Sequence, residues 1–123
     1  MTTVLLIAVA GGGGAVARFV LDALVPARRR GRYPVGTTVI NLSGSVLLGL
    51  LTGLMIGRLL PQSWELVLGT GFLGGYTTFS TASFETVSLL GRRQRWAALA
   101  NGFGLLVASV ILAALGLWLG LLG

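Results

Sequence analysis

Between Gly69 and Thr81 the chain reads Gly-Thr-Gly-Phe-Leu-Gly-Gly-Tyr-Thr-Thr-Phe-Ser-Thr, which sets paired glycines and a row of hydroxyls inside an otherwise apolar stretch. Gly74-Gly75 permits a backbone break, and Thr77 or Thr78 is a fitting N-cap for a second half-helix. A break at membrane depth frees carbonyls and amides that only protein or a cavity can satisfy, and interrupted helices of this kind hold ions in transporters. Freed carbonyls suit a small hard cation, whereas half-helix N-termini suit an anion. The plain alternative is that Gly and Thr serve here as ordinary packing residues of membrane helices.

A second set of polar residues lies upstream. Thr37, Thr38, Asn41 and Ser45 share one helical face by their spacing. The Asn41 amide offers two donors, so it can bind an anion without a fixed charge that would trap it, or make an interhelical hydrogen bond. Beyond the glycines, Phe79 and Ser83 share a face, as do Thr77, Ser80, Thr81 and Phe84. A phenyl edge carries partial positive charge that an anion can approach, although core or lipid packing is the simpler use of a phenylalanine. Glu85 reads as an acceptor of capping or interhelical bonds.

The elements that must position these groups are membrane helices. Apolar residues make up 54% of the 123, only 10% are charged, and uninterrupted apolar runs recur at lengths that cross about 30 Å of hydrocarbon. Four spans of roughly 20 residues or more fit, at about 3–25, 34–60, 64–90 and 96–122, forming one domain. Pro26, Pro61 and Gly91 punctuate the boundaries, and Tyr33, Trp64, Trp96 and Trp118 lie near span ends, as interfacial aromatics do. Gly44, Gly49, Gly53 and Gly57 form a small-residue ridge for close helix approach. Four helices this short enclose little beyond side chains, so a solute path is expected between subunits.

The absence of Cys and His removes thiolate, imidazole and most transition-metal chemistry, and no nucleophile–base pair remains to suggest an enzyme. The net charge of +6 does not point to nucleic acid, because Arg28, Arg29, Arg30 and Arg32 form one cluster and Arg92, Arg93 and Arg95 another, each between apolar runs. With four spans these clusters share one side, opposite Arg58, Glu65 and the termini. The positive-inside rule then places the arginines in the cytoplasm and the termini outside a plasma membrane.

The residues Gly11 to Phe19, Gly36-Thr37, Asn41-Leu42-Ser43-Gly44, and Gly71 to Thr81 with Glu85 closely resemble the Fluc (CrcB) fluoride channel family, in order and over three of the four spans. The resemblance implies an all-α membrane protein with four transmembrane helices per subunit, a third helix broken near Gly74 to Thr78, and an antiparallel dimer. It further implies a structural Na+ held by backbone carbonyls of Gly74 and Thr77. By the same resemblance Asn41 is the pore asparagine and Phe79 the first ring of the family's phenylalanine box. Thr78, Ser80, Thr81, Ser83 and Ser109 join a polar track along the fluoride path.

Two positions depart from the family pattern. Ala82 stands where a second box phenylalanine is usual, and Phe84, about 200° further round the helix, points elsewhere. Asn101 and Leu105 occupy positions that relatives often fill with aromatic and hydroxyl groups. The implied function is passive, selective fluoride exit that lowers cytoplasmic fluoride. A homodimer of opposite topologies needs balanced flanks, so seven arginines on one side favour one orientation and an oppositely oriented homologue as partner. A proton-coupled multidrug exporter, also a short four-span dimer, needs a carboxylate deep in the first span, where this chain has Gly11 to Gly14 and Asp22 only near the end. A non-conducting structural subunit of a channel heterodimer is the remaining alternative.

Overall fold

The computed structural model describes residues 1–24 and 35–123, and among these the only regular structure is helical. The arginine cluster Arg28 to Arg32, with Pro26, Tyr33 and Pro34, lies outside the described residues. Helix α1 is Thr2–Leu24 and α2 is Val35–Ile56. The third segment is two helices, α3 over 62–76 and α4 at Phe79–Gly91, separated by Thr77 and Thr78 in extended conformation. Helix α5 is Arg95–Leu122. Three of these, α1, α2 and α5, are long and apolar enough to cross a membrane. Their outward residues are apolar too, including Phe19, Val39 and Ile111, which suits a solvent of lipid rather than water.

Helix α2 stops short of the expected position 60 for a local reason. Arg58 has φ 63°, its N–H donates to the Met55 carbonyl at 3.0 Å, and the Leu59 N–H reaches back to Leu54 at 2.9 Å. This is a Schellman stop with arginine in the left-handed place that glycine usually takes. The turn after α4 repeats it: Arg93 has φ 61°, its N–H donates to Leu90 at 3.0 Å, and Gln94 N–H donates to Leu89 at 2.9 Å.

Glycine sets the packing distances. A β-carbon on Gly49 would collide with the Ala113 carbonyl, on Gly53 with that of Leu117, on Gly116 with that of Val46 and on Gly120 with that of Leu50. Gly49 and Gly53 of the α2 ridge are therefore used within the chain itself, against α5. Helix α1 lies against α3 by the same device, Gly14 facing the Phe72 carbonyl and Gly75 that of Gly11. Helix α4 packs on the first third of α5. Two stretches wind as π-helix, Leu66–Leu73 in α3 and Ala100–Gly104 in α5, a geometry that re-aims side chains and collects at functional sites.

Candidate functional site

The backbone opens at Thr77-Thr78, two residues beyond the glycine pair. Gly74 keeps helical torsions (φ −62°, ψ −40°), while Thr77 (ψ 160°) and Thr78 (φ −148°) are extended. Gly75 is needed for its contact with α1 rather than for a break. Thr77 closes α3, with its N–H and its hydroxyl both donating to the Leu73 carbonyl at 2.9 Å. Its methyl sits where a β-carbon on Gly44 would be, so Gly44 is the space into which the break folds. Thr78 opens α4 as its N-cap, its hydroxyl oxygen accepting the Thr81 N–H at 3.2 Å and its proton going to the Thr81 hydroxyl at 3.1 Å.

Asn41 answers the break. Its Nδ2 donates to the Thr78 carbonyl at 3.0 Å, and the Thr78 N–H donates to Asn41 Oδ1 at 3.0 Å, so one amide answers the N–H that has lost its helical acceptor and adds a second donor to the carbonyl that opens α4. The interhelical reading of Asn41 is thus realised, and it leaves the second Nδ2 hydrogen without a partner among the described residues. Around this pair, Ser45 donates to the Asn41 carbonyl at 2.7 Å. Ser43 donates to the Ile40 carbonyl at 3.1 Å, so its contact of 3.0 Å with the Tyr76 hydroxyl has the tyrosine as donor. Neither Ser43 nor Tyr76 was singled out by spacing.

A groove of about 550 Å³ runs past the break, and Asn41, Ser45, Thr77, Thr78, Phe79, Ser83 and Ser109 line it together with Ala82 and Asn101. Gly74 lines it as well, and Gly69, Thr70 and Thr86 extend it. Among the lining residues none is charged. Phe79 is 85% exposed and forms an edge of the groove. Phe84 is exposed and off it, as the helical angle from Ala82 demands. Thr81 is also exposed and off the wall, its hydroxyl bonded to Thr78 instead. The side chain of Ser80 lies outside the described residues.

The groups left over have two characters. With the Thr78 N–H drawn to Asn41, the Gly74 carbonyl loses its usual helical donor, and Thr77 lies outside both helices, so both offer backbone oxygen to a hard cation. The second Asn41 N–H, together with the hydroxyls of Thr70, Ser83 and Ser109, which make no hydrogen bond among the described residues, offers protons to an anion. Glu85, read as an acceptor of capping or interhelical bonds, has its Oε1 buried with no hydrogen-bond partner among the described residues.

Residues 5–121 match the family described as CrcB-like protein, Camphor Resistance (CrcB). Among similar proteins, "Fluoride-specific ion channel FluC 1" of Leifsonia xyli subsp. xyli is 55% identical over 117 residues, covering 95% of this chain and 85% of that protein. "Fluoride-specific ion channel FluC 2" of Moorella thermoacetica is 49% identical, covering 89% and 88%. "Fluoride-specific ion channel FluC" of Pyrococcus furiosus is 44% identical, covering 92% and 91%.

Proposed function

Because this chain belongs to the CrcB-like family, we propose that it is a fluoride-selective channel of the cell membrane, not an enzyme, and that it lets fluoride leave the cytoplasm passively. The observation that carries the reading is the Asn41–Thr78 pair, which holds a membrane helix open beside an uncharged groove furnished with free donors. Fluoride must exchange water for other donors to pass a narrow path. The remaining Asn41 N–H, the hydroxyls of Ser83 and Ser109 and the edge of Phe79 supply them without a cation that would retain the ion. The start of α4 adds the positive end of its helix dipole at the same place. An interior-negative membrane favours anion exit by about 2.3 kcal/mol per 100 mV, so a selective leak suffices.

The same reading extends to assembly. Four membrane crossings, with α3 and α4 sharing one, pair two subunits in antiparallel fashion so that the groove faces the partner. Two carbonyls per subunit, from Gly74 and Thr77, fall short of the shell a hard cation takes. A Na+ between two breaks would draw on both subunits, neutralising the negative ends of the two α3 helices and joining them. Phe79, exposed at the groove edge, is then covered by the neighbour. The arginine bias keeps the termini outside and favours a separately encoded homologue of opposite orientation as partner. The exporter alternative gains no support, since mid-α1 is occupied by Gly14 packed on α3 and Asp22 is exposed near the helix end.

Purified protein in fluoride-loaded liposomes with a potassium ionophore tests conduction. Fluoride release by this chain, alone or with the homologue, is the expected result, and retention under both conditions refutes it. For topology, cysteines placed at Arg93 and Gly123 should label from opposite sides in intact cells; labelling of each from both sides would refute a single orientation.

A further inference from the structure

The groove's two ends are built differently. Successive segments run in opposite senses, so Thr86 of α4 and Asn101 of α5, near the 92–94 turn, mark one end, while Gly69 and Thr70 of α3 mark the other. Asn101 is 1% exposed. Its Nδ2 lies 3.1 Å from the Ala82 carbonyl, a group that only accepts, so nitrogen and not oxygen must face it. The second hydrogen of Nδ2 goes to Thr86 Oγ1 at 2.8 Å, and Thr86 directs its own proton to the same Ala82 carbonyl at 2.9 Å. The ring is closed: every proton of both side chains is taken. Asn101 Oδ1 is left buried with no hydrogen-bond partner among the described residues. The π-helical turn Ala100–Gly104 is the local winding that carries Asn101 into this position.

We infer that Asn101, locked by Thr86, makes the arginine-loop end of the groove an acceptor-only collar that opposes a passing anion and limits its flux. The inference rests on the fluoride-channel reading. A carbonyl lone pair with no donor in a low-dielectric wall keeps its full negative potential. Near the break, by contrast, Asn41, Ser83 and Ser109 keep protons that can turn towards the ion. An anion is thus held at the break and meets its barrier where Ala82, Thr86 and Asn101 converge.

Two variants test this in fluoride-loaded liposomes beside the unaltered protein. Asn101→Leu removes the unanswered oxygen and leaves the Ala82 carbonyl with Thr86 as donor. Thr86→Val keeps the side-chain shape and frees one Asn101 N–H, while Asn101 still serves Ala82. Both should release fluoride faster, by roughly threefold to tenfold, with the oligomer eluting unchanged. A residue with a merely structural role would slow release or leave it unaltered, and that result in Thr86→Val overturns the inference even if Asn101→Leu fails to fold. Loss of the oligomer in Asn101→Leu, with Thr86→Val no faster, means that Oδ1 is answered by a neighbouring subunit, which also overturns it. Unaltered protein that releases no fluoride removes the channel reading itself, and this inference with it.

Discussion

The seam between α2 and α5 and the break between α3 and α4 are both made by small residues, and they are opposites. Along the seam, Gly49, Gly53, Gly116 and Gly120 bring two unbroken backbones into contact, and each helix satisfies its own peptide groups. At the break, Gly44 admits the Thr77 methyl, the ladder is cut, and the lost acceptor of the Thr78 N–H comes from another helix through Asn41. The seam is rigid because nothing polar in it needs an answer. The break is open because its groups are answered only in part, and the unanswered remainder faces the groove. In lipid, where unsatisfied peptide groups cost several kcal/mol, that remainder persists only with a ligand or a partner to meet it.

The variant that breaks the seam has the largest expected effect. Gly116→Val sets a branched side chain against the Val46 carbonyl and the Leu50 amide, backbone that cannot move aside. Separating the helices should cost more than about 2 kcal/mol and eliminate the folded species on size-exclusion chromatography in detergent. Asn41→Asp strikes the break instead. It keeps an acceptor for the Thr78 N–H, loses the donor to the Thr78 carbonyl and adds a negative charge to the groove. Fluoride release should fall at least about a hundredfold, or about 2.7 kcal/mol in barrier, while the elution profile is retained. If instead the seam variant folds and the Asn41 variant does not, the two regions have exchanged roles. Phe79→Ala, at the edge of the groove and 85% exposed in the single chain, should slow release by about threefold to tenfold with an unchanged elution profile. An unchanged rate demotes the ring to packing.

The seam was easier to read in the sequence than the break. Glycines at 44, 49, 53 and 57 announce a helix that can be approached closely, but spacing does not name the partners: Gly49 and Gly53 pack on α5 of the same chain, and Gly44 on Thr77 at the break. The break was legible in kind because a glycine pair and a threonine pair adjoin there. Its position was less so, since Gly75 has a second use against α1 and the opening falls at Thr77-Thr78. Asn41 was legible because an amide deep in a span must be answered. The answering group was a backbone, which carries no sequence signature. Thr86 drew no notice, because a threonine bonded to the carbonyl four residues back is ordinary in membrane helices. Its meaning comes from Asn101, brought alongside by a π-helical turn that no residue pattern announced.

The smallest effect separates the two regions through their turns. Arg58 ends the seam helix α2 and Arg93 ends the groove helix α4, both with φ near 60° and both in the same pair of Schellman bonds. An L-residue held in that conformation costs about 1 kcal/mol relative to glycine, part of which glycine returns through its greater freedom in the unfolded chain. Arg58→Gly and Arg93→Gly should therefore each stabilise by roughly 0.5 kcal/mol and raise the apparent Tm in detergent by about 1–3 °C. The backbone strain is the same, so the gains should match wherever the arginine does nothing else. If the turns are only stops, fluoride release is unchanged in both. Loop cations at the groove end would raise the local concentration of an anion on their side of the membrane, so Arg93→Gly alone should slow release modestly at low ionic strength and lose that effect at high salt. A slowing that survives high salt would mean that the Arg93 turn holds α4 in place against α5, and that the open region relies on its stop more than the sealed one does.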